Sequence, residues 1–318
     1  DDDDSATDDD DAVDDDDSSS DDDDAVDDDD SSSDDDDSAN ASLSWVELTT
    51  GPSSVTTRES VTVTVTAHYS DSSSVVITDL IDVGFDTDVA SGNPDPQWLG
   101  FDLSSVTAGA FELSATVGSE ESSSVLISFA AAPVEAGDFV ANELLADGTA
   151  GDANGDGFTD AGEDAFVEFV NVSDIELSLD GVRIYDNDQD LTVAARHTFG
   201  FDDVSLPGEA LVVFGGGNPA AAPANAQFFV ADNANDPGIP LLLALNPTGD
   251  AVRMRLADDT LVAQVEFGSV GVGSPDANID ESINLDPDLV GSTWDAHSTV
   301  STGGELFSPG LRTDLTTF

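Results

Sequence analysis

The chain contains no cysteine and no lysine, and its 6 basic residues are all arginine, against 69 acidic residues. Without cysteine it can form no disulfide and carry out no thiol chemistry, and cysteine usage gives no indication of compartment. The formal net charge of -63 repels nucleic acid and anionic membrane surfaces. The expected partners are therefore divalent cations or an unidentified protein or glycan ligand, and not nucleic acid.

Long apolar runs are also absent. No run approaches the roughly 20 residues that span a bilayer, so membrane insertion is not expected. The chain begins at Asp1 without an apolar signal core, which suggests a processed product. We expect a secreted or cell-surface protein of the outer envelope, and a lipoprotein anchor upstream of Asp1 is compatible with that location.

Residue combinations typical of enzymes are scarce. The histidines His68, His197 and His297 are far apart and lack H-E-x-x-H spacing, and no G-x-S-x-G sequence occurs. The glycine triplet 215–217 follows a predicted strand, but the stretch 218–223 (NPAAAP) begins no helix. A phosphate-binding loop is therefore not expected there. These observations predict that the protein is not an enzyme.

Residues 1–40 are an acidic, low-complexity tail. Six blocks of four aspartates alternate with short spacers, and the unit DDDDAVDDDDSSS occurs at 8–20 and again at 21–33. Neighbouring charges lie well inside the Debye length of about 8 Å and repel one another, and almost nothing apolar can be buried. The tail is predicted to be disordered. We interpret it as a solvated spacer, and a cation-sequestering tract is the alternative.

Residues 41–133 show the period-two alternation of half-buried strands. Val61, Val63 and Val65 alternate with threonines, turn-forming stretches separate the apolar runs, and no helical period occurs. Short strands at this spacing predict an antiparallel β-sandwich. The predicted strands are 45–49, 61–66, 75–78, 98–103, 110–117 and 125–130.

One stretch of this region also resembles a known family. Residues 59–78 read ESVTVTVTAHYSDSSSVVIT: a T-V-T-V strand, an aromatic residue, a short Asp/Ser turn and a second β-branched strand. This order resembles the bacterial Ig-like domains of surface proteins. The resemblance implies an Ig-like β-sandwich for residues 41–133.

The remaining chain, 134–318, is predicted to be a second β domain, joined by a short linker at 131–138 (AAPVEAGD). Turns with Pro, Gly and Asn mark 206–208 and 246–250. After Phe267 the strand pattern fades into a polar stretch, which predicts an irregular C-terminal extension. The predicted strands are 139–145, 165–171, 175–185, 196–199, 210–214, 226–230, 239–245, 251–256 and 261–267.

Four stretches of this second region carry a more specific pattern. They read FVANELLADG (139–148), DAFVEFVNVSDIELSLDGVRIYD (164–186), HTFGFDDVSLPGEALVVFGGG (197–217) and FSPGLRTD (307–314). Together they make residues 138–318 similar to the lamin tail domain family in its bacterial form. The resemblance implies an Ig-like β-sandwich and a mostly non-catalytic module. Bacteria carry such modules in secreted or surface proteins, sometimes attached to hydrolase domains.

The chain departs from that family at two places. Asp164-Ala165 stands where the family has an acidic pair, and Leu285 stands where an arginine is expected. If that arginine anchors the C-terminal segment in the relatives, the anchor of this chain must be a different one.

A calcium loop is the strongest chemical signal. The twelve residues 152–163 read DANGDGFTDAGE. Oxygen-bearing side chains occupy loop positions one, three, five, nine and twelve, glycine occupies position six, and a main-chain carbonyl serves position seven. A hard cation prefers six to eight oxygens at about 2.3–2.6 Å, and this spacing is that of an EF-hand loop. The predicted ligands are Asp152, Asn154, Asp156, Phe158 through its carbonyl, Asp160 and Glu163, with Asp164 as an additional ligand.

The flanks of this loop differ from those of an EF-hand. Residues 139–145 and 165–171 are predicted strands rather than helices, so the loop joins two strands of a sandwich. It is therefore interpreted as a structural clamp of modest affinity, near the 10⁻⁴–10⁻³ M of extracellular modules, and not as a sensor.

The acidic surface predicts a dependence on salt. Subtracting the 24 tail aspartates leaves 45 acidic residues against 6 basic ones. Self-repulsion at low ionic strength destabilises such a chain, and salt screens it. The melting temperature is expected to rise with added NaCl, as in proteins of halophiles. A flat or falling melting temperature in a NaCl series contradicts this expectation.

Taken together, these features predict an all-β protein with two Ig-like β-sandwiches in tandem after a disordered poly-Asp tail. The predicted function is that of a non-catalytic, exported or surface-tethered bacterial protein with a structural calcium loop and a binding, adhesion or scaffold role. Two alternatives stay open. The chain could be the accessory part of an extracellular hydrolase such as a nuclease or phosphatase, or it could sequester cations through the poly-Asp tract.

Overall fold

The computed structural model describes residues 41–186, 194–232, 243, 245–270 and 275–318. These residues form antiparallel and mixed β-sheets with one short α-helix, which confirms the predicted all-β class. The predicted disorder of the tail 1–40 concerns residues outside this set. The predicted strand 239–245 also lies outside it, apart from 243 and 245.

Ten strands make up the first sandwich. They are β1 Leu43–Thr50, β2 Ser54–Thr56, β3 Val61–Tyr69, β4 Ser74–Val76, β5 Gly84–Gly92, β6 Pro96–Leu99, β7 Asp102–Ser105, β8 Gly109–Val117, β9 Glu120–Glu121 and β10 Val125–Ala130. One sheet has the order β1-β3-β7-β6 with β4 beside β3, and the other has the order β2-β10-β8-β5 with β9 beside β8.

The core of the first sandwich follows from the predicted alternation. Val61, Val63 and Val65 of β3 are buried, and they pack with Phe111 and Ile127 of the opposite sheet. Successive side chains of a strand point to opposite faces, so the intervening threonines are left on the outer face. The predicted strand, aromatic residue, turn and second strand of 59–78 appear as the hairpin of β3 and β4.

Two differences from prediction have local reasons. The single strand predicted at 98–103 is the hairpin of β6 and β7, because Gly100 has φ of 67° and reverses the chain. Strand β5 was not predicted. Its residues read GFDTDVASG and are exposed except for Phe85, so no apolar alternation identifies it.

The second sandwich contains the remaining strands. They are β11 Ala132–Pro133, β12 Phe139–Leu145, β13 Phe166–Asn171, β14 Leu177–Ser178, β15 Arg183–Tyr185, β16 His197–Thr198, β17 Val204–Ser205, β18 Ala210–Phe214, β19 Ala226–Val230, β20 Gly249–Arg255, β21 Leu261–Gly268, β22 Ile283–Asp286 and β23 Thr293–Ala296, followed by helix α1 His297–Val300.

A six-stranded sheet is the centre of this second sandwich. Its order is β19-β18-β13-β12-β22-β23, and a four-stranded sheet β16-β15-β20-β21 and a three-stranded sheet β11-β14-β17 accompany it. The main core includes Phe169, Leu211, Met254 and Phe267. A smaller core lies on the other face of the six-stranded sheet, where Phe166 and its neighbours pack.

Three expectations for this region need correction. The strand predicted at 175–185 is divided into β14 and β15 by a turn in which Gly181 has φ of 75°. The linker predicted at 131–138 contributes β11, which pairs with β14. The C-terminal stretch predicted to be irregular supplies β22 and β23, which extend the six-stranded sheet.

Hydrogen bonds join the two sandwiches directly. The Thr57 hydroxyl donates to the carbonyl of Glu176 at 2.8 Å and accepts from the N–H of Ala132 at 3.0 Å. The N–H of Ala108 donates to the carboxylate of Glu176 at 2.8 Å. The domain boundary at 133/134 stays a prediction, since residues 42–318 form one compact unit. No helix in the described residues is long and apolar enough to cross a membrane.

Candidate metal centre

The predicted calcium loop connects β12 to β13 and covers the outer face of the six-stranded sheet. Ala153 of the loop is buried in the smaller core beside Phe166 and Phe214. The chain reaches the loop through a 3-10 turn, Gly148–Ala150, which Asp147 caps by accepting from the N–H of Thr149 at 3.1 Å. Packing against the sheet therefore holds one side of the loop.

The first three acidic or amide positions of the loop fold around one another. Asp152 accepts from the N–H of Gly157 at 2.9 Å, and Asn154 accepts from the N–H of Asp156 at 2.9 Å. Asp156 accepts from the N–H of Phe158 at 3.0 Å. Each of these oxygens retains a second lone pair. The local sequence thus produces a tightly wound loop whose alternate side chains turn toward its backbone.

Glycine is required where the loop bends. Gly155 has φ of 71° and Gly157, at position six, has φ of 96°, a region that residues with a Cβ rarely adopt. The Phe158 ring is 76% exposed. This side chain therefore has no packing role, and the predicted part of the residue in the site is its main-chain carbonyl.

The end of the loop is organised by Asp160. Its carboxylate accepts from the N–H groups of Gly162 and Glu163, at 2.9 and 3.1 Å. The carbonyl of Glu163 accepts from the N–H of Gly216 at 3.1 Å, while its side chain is half-buried. Asp160 thus caps the turn before β13. Glu163 connects that turn to Gly216, in the segment that follows β18.

Asp164 holds the two halves of the loop together. It is fully buried, and its Oδ1 accepts from the N–H of Asn154 at 3.0 Å while its Oδ2 accepts from the N–H of Asp160 at 2.7 Å. These contacts join loop positions three and nine. Its predicted role as an additional ligand stays a prediction, and its contacts give it a second role as organiser of the loop.

The glycine triplet 215–217 forms the opposite wall of the site. A Cβ at Gly215 would lie 1.8 Å from the carbonyl oxygen of Gly162, and one at Gly217 would lie 2.3 Å from the amide nitrogen of Asn154. The carbonyl of Gly216 accepts from that same amide at 3.3 Å. Sequence reasoning missed this role because the triplet is remote along the chain, and the only signal was three glycines directly after a buried strand.

One oxygen of the loop has no partner. The Oδ1 atom of Asp152, at position one, is buried and makes no hydrogen bond within the described part of the chain. A buried carboxylate oxygen without a partner costs free energy, and a bound cation would satisfy it. The loop residues therefore fit calcium in donor type, in spacing and in this one unsatisfied atom.

No group of three or more His, Asp or Glu side chains suited to a metal ion occurs among the residues with described positions. The donor set expected for the loop is different in kind, because it includes the Asn154 amide oxygen and the Phe158 carbonyl. Calcium accepts such oxygens alongside carboxylates.

The three histidines lie in separate environments. His68 stacks on Trp45 with ring centroids 3.7 Å apart. His197 contacts Asp232 at 2.9 Å, and burial lowers its pKa while Asp232 opposes that effect. His297 is fully buried and lies 3.2 Å from the carboxylate of Glu143. None of these pairs was predicted from the sequence.

Leu285, which stands where the resemblance leads us to expect an arginine, does not anchor the C-terminal segment through a charge. Leu285 is buried on β22, opposite Trp294 of β23. The C-terminal segment is instead anchored by buried carboxylates of the six-stranded sheet, since Glu143 accepts from the N–H of Ser308 at 2.9 Å and Glu168 accepts from the N–H of Gly310 at 2.7 Å.

Comparison with known proteins identifies no family. No protein-family model matches the chain, and no curated protein matches it. Among solved structures it is similar to a DUF4876 family protein from Bacteroides thetaiotaomicron VPI-5482, with 12% sequence identity and a TM-score of 0.24. That match covers 62% of this chain, which spans about half (53%) of the length of the other protein.

Proposed function

We propose that this chain is a non-catalytic, exported or surface-tethered β-sandwich protein in which the loop Asp152–Glu163 binds a structural calcium ion. The observation that carries the proposal is the buried, unpartnered Oδ1 of Asp152 at the first position of a loop with calcium-binding spacing. Asn154, Asp156, Glu163 and the carbonyl of Phe158 belong to the proposed ligand set. Asp160 and Asp164 are the two other proposed ligands, and their carboxylates also accept N–H groups of the loop.

A structural role for the ion is supported by where the loop lies. Ala153 of the loop belongs to the smaller core on the six-stranded sheet, and Ala150, just before the loop, packs against that core. An ion that fixes the loop would also fix these contacts, so its binding free energy would stabilise the second sandwich by mass action. Since the flanking elements are strands, no pair of helices is available to open, and a sensor function is not proposed.

The proposed absence of catalysis is supported by the surroundings of the histidines. His297 and Glu143 are fully buried, and their contacts hold the C-terminal segment. His68 is occupied by its stack on Trp45 and by Glu47 at 3.1 Å. The proposed role is therefore binding, adhesion or scaffolding toward an unidentified protein or glycan.

A calcium titration of thermal stability tests the proposal. With a dissociation constant of about 10⁻⁴–10⁻³ M, 10 mM calcium is expected to stabilise the chain by about 1.5–3 kcal/mol. This corresponds to a melting temperature higher by about 3–10 °C. Calorimetry or circular dichroism of the full chain, at constant ionic strength, measures the shift.

The variant Asp152→Asn distinguishes calcium binding at the loop from calcium binding by the other carboxylates of the chain. Its side chain has nearly the same shape but no charge, so the variant should keep its stability without calcium and lose the calcium-dependent increment. Asp258→Asn is the matched control, because this residue is exposed and accepts a hydrogen bond from the N–H of Thr260 within its own turn, at 3.0 Å. An equal calcium shift in Asp152→Asn and the unmodified chain would refute binding at the loop.

A further inference from the structure

Two glutamates lie side by side in the centre of the six-stranded sheet. Glu143 of β12 and Glu168 of β13 are directly opposite each other in the antiparallel register, and both are fully buried. Cβ atoms of opposed residues lie about 4.5–5.5 Å apart. The two side chains therefore share one face of the sheet, and two ionised carboxylates on that face, removed from water, would repel each other.

The C-terminal strap, which we define as residues 307–313, covers this pair. The N–H of Ser308 donates to Glu143 at 2.9 Å, and the N–H of Gly310 donates to Glu168 at 2.7 Å. Thr313 donates to Asp288 through its N–H and its hydroxyl, at 3.1 and 2.9 Å. The strap is therefore held by carboxylates at three successive points.

The charged groups that face the pair are nearly all acidic. Asp288 shares the Asn142 amide with Glu168, at 3.1 and 3.0 Å respectively, and His297 from α1 lies 3.2 Å from Glu143. Ser282, just before β22, donates its hydroxyl to Glu143 at 2.5 Å, and Asn284 of β22 is opposite Glu143 and contacts His297. Strand β18 places Val212 opposite Glu168.

Among the residues that the structure describes, no arginine forms an ion pair with either glutamate, and the ion-pair partner of Glu143 is His297. The single arginine of the strap, Arg312, directs its Nε to the carbonyl of Thr317 at 3.3 Å, and its guanidinium lies over the Phe318 ring. The pair is thus held by neutral donors and His297, and no guanidinium neutralises it.

The two carboxyl groups are not equally satisfied. Glu143 accepts from Ser282 and Ser308 and adjoins His297, whereas Glu168 accepts from Asn142 and Gly310 only. Burial, and then the charge of Glu143, raise the pKa of Glu168 well above its usual range. Within Glu143, the Oε1 atom accepts the shorter hydrogen bonds from Ser282 and Ser308, and the Oε2 atom has only a long hydroxyl contact of 3.4 Å with Ser308 among the described residues.

We propose that the Glu143–Glu168 pair is a proton-dependent latch for the C-terminal strap. The strap is seated while the pair holds one proton on Glu168, and loss of that proton to solvent leaves two buried carboxylates whose repulsion releases the strap. This inference is independent of calcium, because neither glutamate belongs to the calcium loop.

The direction of the pH dependence follows from linkage. Glu168 has a raised pKa in the folded chain, so its contribution to stability is complete below the ordinary pKa of a glutamate. That contribution is lost as the pH rises through the raised value. The latch is therefore closed under mildly acidic conditions and opens toward alkaline pH.

Trypsin provides a specific reporter of strap release. The chain has no lysine, and Arg312 is the only arginine after Arg255, so cleavage after Arg312 releases the peptide 313–318. The scissile bond adjoins Thr313, which is held by Asp288 in the seated strap. When opening is fast relative to cleavage, the rate follows the open population.

The experiment measures the release of peptide 313–318 from the full chain by mass spectrometry between pH 6 and 9. Each rate is divided by that of a free peptide 308–318 at the same pH. We expect the normalised rate of the unmodified chain to rise at least tenfold across this range. Cleavage after Arg253, which is buried on β20, should stay slow and show that the chain remains folded.

Two variants and one control decide the outcome. Glu168→Gln and Glu143→Gln each leave a single ionisable carboxyl in the pair, so both should give a low normalised rate that is independent of pH. Glu112→Gln removes one exposed carboxylate from the first sandwich and should keep the rise. A flat profile in the unmodified chain, or the same rise in either pair variant, would overturn the proposal.

Discussion

Asp164→Ala is expected to lower the free energy of unfolding by about 3 kcal/mol. The reason is local, since Asp164 is fully buried and its two oxygens accept the N–H groups of Asn154 and Asp160. Alanine leaves both donors without a partner, at a cost of about 1–3 kcal/mol for each donor that stays buried. The loop halves then separate, so the stabilisation by calcium should vanish as well.

Chemical denaturation of the full chain, with and without 10 mM calcium, measures both effects. Asp258→Ala is the matched control, because it removes an exposed carboxylate of the same sandwich and should cost less than about 0.5 kcal/mol. A loss for Asp164→Ala that is no larger than that of the control would show that these two hydrogen bonds do not hold the loop.

Arg58→Ala is expected to lower the free energy of unfolding by about 2–3 kcal/mol. This is the second of the two largest expected effects. The Arg58 guanidinium pairs with Asp138, whose side chain is only 10% exposed, and reaches the carbonyl of Pro133 at 3.4 Å. Removing one partner of a buried ion pair leaves the other charge uncompensated, which typically costs 3–5 kcal/mol. The expected loss is smaller here because the Arg58 side chain is 27% exposed and water screens it.

A double-mutant cycle with Asp138→Ala tests this reason. If the cost comes from the unpaired carboxylate, the double variant should lose about 1–2 kcal/mol less than the two single variants together. Arg183→Ala is the control, since its guanidinium lies 4.0 Å from the exposed Asp259 and such pairs contribute about 0–1 kcal/mol. Additive losses for Arg58 and Asp138 would argue against a coupled pair at the junction of the sandwiches.

The contacts of Asp164 and of Arg58 could not be predicted from the sequence, for two different reasons. Asp164 follows directly after the calcium loop, so its proximity to the site was evident, but its hydrogen bonds to positions three and nine depend on how the loop winds. Arg58 and Asp138 are 80 positions apart. Nothing in local pattern or charge spacing links them, because their contact exists only once the two sandwiches are joined.

Strands with an apolar face were predicted well. Residues 139–145, 210–214 and 226–230 correspond to β12, β18 and β19, because their side chains read as continuous or alternating apolar runs. Strand β22 escaped prediction because Ser282 and Asn284, just before and within it, are buried by hydrogen bonds to Glu143 and His297. A polar residue that is buried by its partners cannot be distinguished in sequence from one that is exposed.

The sequence by itself determined the all-β class, the acidic character and the twelve-residue loop, since each depends on residues close together in the chain. Tertiary structure decided the rest. It brought the glycine triplet 215–217 against Asn154, left Asp152 Oδ1 unpartnered, and set Glu143 beside Glu168 under the C-terminal strap. The physical reason is that burial and long-range hydrogen bonding, rather than spacing along the chain, determine the chemistry of these groups.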